Sequence, residues 1–388
     1  MADLGFWNTV RREIRRMGSR KMYICGMVLV PVMLVLFFCG LLAPGLPQKV
    51  PSAIVDLDHS PMSRSVTRSL DATQFVDIAV DCESYDDAMR RVRTGQIIGF
   101  FVIPADFQKD VVAGKTPTLT YYNNLTYFVP GSLGFKGFKT VAVTTSAGAV
   151  VTKLVSTGAL TPDEALALTV PVSFNEHPIG NPWMNYSIYL TPTFIFACLA
   201  LMIFLMTTFS ITMEIKKGTS PQWLAGAKDR ITVALAGKLF PHFLVWSVIG
   251  MFALSVMFRW NNFPCGNLWA MAGAMELFIL ACMAWAVFIC CVLPNPRLAF
   301  ICCALTGILS FSFAGISFPV SSMYGAVAIF SYLVPVRYMM LIFFTVALDS
   351  FPVYYARMFY VALLIFPLVG CTLLWRLRRA CLKPVYVP

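Results

Sequence analysis

Six apolar runs of membrane-spanning length punctuate the chain: Met22–Leu42, Ile188–Met213, Ile231–Phe258, Leu268–Leu293, Leu298–Phe318 and Tyr354–Trp375. About twenty apolar residues cross a hydrocarbon core of ~30 Å, so each run predicts a transmembrane helix. A further apolar stretch, Pro319–Asp349, follows a different pattern. Pro335 divides it into halves of about 13 residues, each about 19 Å long if helical and too short to cross alone. It predicts an outer broken hairpin near 319–349, entering and leaving on one side and packed against protein. One proline-kinked span is the alternative.

Ahead of the first run, Leu4, Trp7, Val10, Ile14 and Met17 step at three- and four-residue intervals, with Arg12, Arg15 and Arg16 turned the other way. This predicts a basic amphipathic helix over residues 1–21, lying at the membrane interface. A solvated helix is the bland reading. Between the first two runs, residues 43–183 have ordinary polar content and are long enough for one small core. "SAIVDLD", "IIGFFVIP" and "TPTLTYYN" read as strands, while "SPMSRSVTRSLD" and "YDDAMRRVRTG" read as helices. The alternation predicts a small α/β domain, and Phe135–Val155 a longer helix leading back toward the membrane.

Charge fixes the expected orientation. The hydrophobic fraction is 58% and the charged fraction 13%, which excludes an ordinary soluble protein. A net charge of +11 invites nucleic acid, but residues 44–183 hold 11 Lys/Arg against 13 Asp/Glu, leaving 19 against 6 for the membrane part. Those cations belong to cytoplasmic loops and anionic lipid headgroups, so no nucleic-acid partner is expected. They cluster before the first span, between Met213 and Lys238, and in the final "RLRRACLK". Six spans put all three clusters, and both termini, in the cytoplasm of a multi-pass protein.

No catalytic constellation stands out. Asp56, Asp58, His59 and Ser60 resemble a ligand cluster, yet Ser60 before Pro61 reads better as a helix cap followed by a first-turn proline. His177, after Glu176, has no partner in the sequence, and no histidine spacing suits a metal. The twelve cysteines show no disulfide framework, with only Cys82 and Cys265 in expected outer loops.

The charged island between the second and third spans is the most informative stretch. Glu214, Lys216 and Lys217 end one span and Gly218 stops it; Ser220 then caps a short helix begun by Pro221, carrying Gln222, Trp223 and Leu224 and ended by Gly226. Asp229 is placed to cap the third span. A stub presenting a Trp and a Leu predicts a docking knob for a partner; a Trp resting in the headgroup layer is the alternative. Within the bilayer, Glu276 is a costly acid suited to a cationic substrate, to a proton, or to pairing with a polar neighbour. Arg337, with Asp349 as its expected partner, and Tyr338 are further substrate-path candidates, whereas His242 reads as a packed helix residue.

The order of these parts resembles the permease subunits of bacterial type-2 ATP-binding-cassette exporters, in the drug- and lipid-efflux branch with a large periplasmic insertion after the first span. "VPSAIVDLDHSPMSRSVTRSL" resembles the opening of that insertion, and "MEIKKGT" the Glu-rich, Gly-Thr signature after the second span. "AGK" matches the start of the third span, and "VPVRY" the Pro-x-x-Tyr of the late hairpin. Where relatives carry a Glu soon after Gly-Thr, this chain has Ser220, Pro221 and Gln222.

The resemblance implies that residues near 219–227 are a coupling helix seated on a cytosolic ATPase subunit, with Glu214, Lys216, Lys217, Gly218, Thr219, Pro221, Gln222, Trp223 and Leu224 as the coupling set. It implies a dimer with a second copy or a paralogue, an adaptor on the periplasmic side, and an inner-membrane location. ATP and Mg would be bound by the partner, since this chain has no Gly-x-x-x-x-Gly-Lys-Ser/Thr phosphate loop and needs no cofactor of its own. The expected fold is therefore an α-helical polytopic membrane protein, with 43–183 as the extracytoplasmic α/β domain and 184–388 as a five-span membrane domain. The rival readings are a proton-coupled secondary exporter using Glu276 and a membrane sensor with an outer ligand-binding domain.

Overall fold

The computed structural model describes residues 5–156, 161, 163–164, 180–182, 185–315 and 318–384. The expectation for His177 lies outside them. The chain divides into two compact units, Leu46–His177 and the remainder.

In the larger unit, α1 (Phe6–Ser19) precedes the first membrane-length helix, α2 (Lys21–Leu41). In the smaller unit, β1 (Val50–Asp56), α3 (Pro61–Asp71), β2 (Val76–Asp81), α4 (Tyr85–Arg93) and β3 (Gly99–Ile103) alternate. They are followed by α5 (Phe107–Ala113), β4 (Thr120–Asn123) and the long α6 (Phe128–Ser156). The sheet order is β2-β1-β3-β4, with β1 parallel to β2 and β3, and β4 antiparallel to β3.

Side chains alternate across β1. Val50 and Ile54 join Val66, Leu70, Phe101 and Leu133 on one face, while Ala53 and Val55 join Ala88 and Phe100 on the other. Two elements, β2 and α5, were not expected from the sequence; "VDIAVD" carries two aspartates, Asp77 and Asp81, which mask a strand. The Asp56–Ser60 cluster is a turn and cap: Ser60 Oγ accepts from the Ser63 amide at 3.0 Å, and Asp56 Oδ1 accepts from the amides of Asp58 and His59. No group of His, Cys, Asp or Glu among the described residues is arranged to hold a metal ion.

The remaining helices return to the larger unit: α7 (Tyr186–Lys216), α8 (Ser220–Ala225), α9 (Ile231–Trp260), α10 (Leu268–Val292), α11 (Pro296–Phe313), α12 (Gly325–Tyr332), α13 (Pro335–Leu348), α14 (Val353–Cys371) and α15 (Leu374–Leu382). Among the described residues six helices, with α14 and α15 counted as one, are long and apolar enough to cross a membrane; the number is seven if α12 and α13 form one span. Those two halves meet at a bend of 78°, at the break before Pro335. Proline removes the amide that would continue the preceding helix, so the chain must turn there.

α7 and α10 are the most buried spans, and α7 packs against α10, α11 and α2. At the opposite extreme α2, α11 and α14 keep most of their apolar surface uncovered.

Candidate functional site: a buried ion network beneath the charged island

The charged island does not stand apart from the helices; it closes over a cluster of buried ions. Glu13 on α1, Glu214 in the last turn of α7, and Lys238 and His242 one turn apart on α9 are all withdrawn from solvent. The Lys238 ammonium bridges the acids, donating to Glu13 Oε2 at 2.6 Å and to Glu214 Oε1 at 2.9 Å. Arg12 grips Glu214 with both guanidinium nitrogens, at 2.7 and 2.9 Å. Arg16 and the Thr219 hydroxyl also contact that carboxylate. Glu13 Oε1 accepts from Ser210 Oγ at 2.9 Å and lies 3.1 Å from His242 Nε2. A carboxylate only accepts, so Nε2 carries the proton.

Burial on its own raises the Glu13 carboxyl; the bond with His242 and the charge of Lys238 outweigh it and hold the group well below the usual carboxylate range. For Arg12 and Arg16 burial is the largest influence and lowers both, with Glu13 opposing. Buried ions persist when each is paired and hydrogen-bonded. Here each carboxylate has at least three partners.

The short helix α8 is the lid. The Trp223 ring lies 5.2 Å from the Lys238 ammonium, and its Nε1 donates to the Ala234 carbonyl at 3.2 Å. Trp223 is 1% exposed and Leu224 fully buried, so both face inward. This corrects the expectation of an apolar knob: a six-residue amphipathic helix buries its apolar side on the bundle and turns its polar side out. Gln222, Ala225, Lys228 and Arg230 form the outer surface with Lys216 and Lys217. Ser220 is not the cap. Thr219 occupies that position, and the Ser220 hydroxyl instead donates to the Cys381 carbonyl on α15 at 2.8 Å. Asp229 does not cap α9 either, since Arg230 precedes its first residue and no side chain bonds there. Gly218 takes the left-handed conformation, φ 65°, that stops α7.

α1 departs from the expectation at two of its arginines. Thr9, Val10 and Glu13 are buried and Arg12 and Arg16 point toward Glu214, whereas Trp7 is 64% and Ile14 55% exposed. Pairing with a buried acid outweighs covering two apolar side chains, which suit a lipid interface in any case. The Gly5 amide donates to the Gly226 carbonyl at 2.9 Å, tying α1 to the end of the island. His242, read as a packing residue, and Lys238, counted among exposed loop charges, both belong to the network.

The substrate-path candidates lie apart from it. Glu276 Oε2 accepts from Ser247 Oγ at 2.6 Å, a contact from α10 to α9. Arg337 donates to Ser331 Oγ at 2.5 Å and lies over the Tyr332 ring, so its partners are there and not at Asp349. Tyr338 donates to the Tyr332 carbonyl at 2.9 Å.

Six membrane-length helices and buried charge paired across them define a multi-pass membrane protein. The chain belongs to the family described as ABC-2 family transporter proteins, whose model matches residues 21–376. It is the membrane component of a transport system rather than a catalytic subunit. No curated protein matches it in sequence.

Proposed function

We propose that the chain is the permease subunit of an ATP-driven exporter. It moves an amphipathic, drug-like or lipid-like substrate out of the cytoplasm or inner leaflet. It works as a dimer with a second copy or a paralogue in the bacterial inner membrane, both termini cytoplasmic, and residues 43–183 are extracytoplasmic, where an adaptor would meet them. Family membership implies association with an ATPase subunit, and the island is where this reading seats it.

One observation carries the coupling. α8 is fastened from beneath to α7, α9 and α15 through Thr219–Glu214, Trp223–Ala234 and Ser220–Cys381, while its outer face presents Gln222 and is flanked by the exposed Lys216, Lys217, Lys228 and Arg230. A push on that outer face is therefore transmitted to three helices and, through the Arg12–Glu214 pair, to α1. ATP-driven closure of the partner becomes a rigid-body movement of the spans.

The test is purification in mild detergent followed by reconstitution. An ATPase chain is expected to co-purify, and its hydrolysis to be stimulated by the permease. Transport by the permease alone under a proton gradient would favour the secondary-exporter reading. Against that reading, the Ser247 bond to Glu276 survives in Glu276→Gln, whose amide oxygen still accepts. That variant is expected to assemble and transport with unchanged pH dependence.

A further inference from the structure

We propose that a groove on the membrane face of α9, α10 and α14 holds one acyl chain of an anionic phospholipid from the leaflet on the ion-network side. The groove encloses about 420 Å³, and its lining side chains are apolar except for the Thr232 hydroxyl and the Cys371 thiol. Its floor is made by small residues: Ala236 and Ala284 line it, and at Gly370 a Cβ would stand 2.9 Å from the Ala284 carbonyl. Pro367, inside α14, also lines it. Proline removes a hydrogen bond and bends the helix, which keeps the groove from closing.

Length identifies the occupant. Along α9 the lining runs from Thr232 to Phe243, a rise of about 16 Å, or roughly half of a ~30 Å hydrocarbon core. That is the depth of one leaflet. The level of the headgroups is marked as well. Phe6 and Leu374 line the groove, and the residue after each is an exposed tryptophan, Trp7 at 64% and Trp375 at 52%. Tryptophan concentrates at the membrane–water interface, so the groove opens at that level and runs inward from it.

The charge there selects the headgroup. Arg230 precedes α9, and Arg376, Arg378 and Arg379 follow Leu374, all exposed, with Asp229 as the one acid in these two segments. Basic residues at the interface attract anionic lipid. Phe6 also packs edge-on against Phe240, with ring centroids 5.8 Å apart. A chain in the groove therefore supports the wall that α1 provides.

The proposal is independent of the ATPase assignment and is tested without it. The full-length protein is reconstituted in nanodiscs of phosphatidylethanolamine and phosphatidylglycerol containing a phosphatidylglycerol with an acyl-chain diazirine, and crosslinked peptides are mapped by mass spectrometry. Crosslinks are expected to concentrate on residues 232–243 and 367–374 over the equally lipid-facing α11. Ala236→Trp, at an exposed position, fills the groove and removes those crosslinks while leaving α11 labelled; Ala284→Phe does the same from a second helix. Groove labelling no denser than on α11, or persisting in both variants, overturns the acyl-chain site. Equal groove labelling by a phosphatidylcholine probe overturns the anionic headgroup.

Discussion

Lys238 donates to Glu13 across 225 positions of sequence at 2.6 Å, with both side chains sealed from water. The bond ties the amphipathic helix α1 to the third span. Removing one partner of a buried pair leaves an uncompensated charge, at a cost of about 3–5 kcal/mol. Lys238→Met is expected to lower the melting midpoint of the reconstituted protein markedly and to open α1 to protease at Arg11 and Arg15. Glu13→Gln should do less, because Lys238 keeps Glu214. The double variant should lose less than the sum of the two. Strict additivity would mean that the pair is not coupled.

Glu13 also sets a pH dependence. Its carboxyl is depressed from the ordinary 4.5 in the folded protein. A depressed acid contributes stability that is complete above its unfolded value and is lost as the pH falls through the folded one. The part of the midpoint difference between wild type and Glu13→Gln that belongs to this carboxyl should therefore shrink as the pH falls below about 4.5. A difference that grows on acidification would reverse the sign and refute the assignment.

Gly237 sets the approach of α1 to α9. A Cβ there would meet the Phe6 carbonyl and the Thr9 Cβ, both at 2.8 Å, and the backbone oxygen has no rotamer by which to yield. Gly237→Ala is expected to loosen α1 and raise its hydrogen exchange. Gly273→Ala is the control, because nothing lies within 4 Å of its added carbon. Equal behaviour of the two variants would place the tightness of the α1 contact elsewhere.

The spans were legible because hydrocarbon thickness imposes one length and excludes unpaired backbone, leaving long apolar runs few alternatives. The network was not, although each member had a visible signal. Glu13 is the only acid in α1, Glu214 the only acid in α7, and Lys238 the only lysine in α9. An acid inside a membrane span requires a partner, a demand plain for mid-span Glu276 but masked for Glu13 and Glu214, which have basic residues beside them in sequence. Partners 24 and 225 positions away follow from packing, which spacing within one helix does not encode. Trp223 misled for a related reason: an aromatic in a polar loop reads as exposed until a buried cation is found beneath it.

That burial changes how the island must be tested. Trp223→Ala/Leu224→Ala removes the cover from Lys238 and the bond to Ala234; truncating a packed Trp typically costs about 3–5 kcal/mol. Loss of a partner in that double variant would then follow from collapse of the lid and say little about docking. The outer face gives the clean experiment. Lys217 and Gln222 are exposed, and surface changes away from buried contacts usually stay within about 0.5 kcal/mol. Lys217→Glu/Gln222→Glu lowers the net charge of the docking face by three while Thr219, Ser220 and Trp223 keep their partners. This variant is expected to insert and melt as wild type, yet to lose co-purification with the ATPase and its stimulation. If it retains both, the partner seats somewhere other than the outer face of α8, and the rigid link from α8 to the spans has no input to transmit.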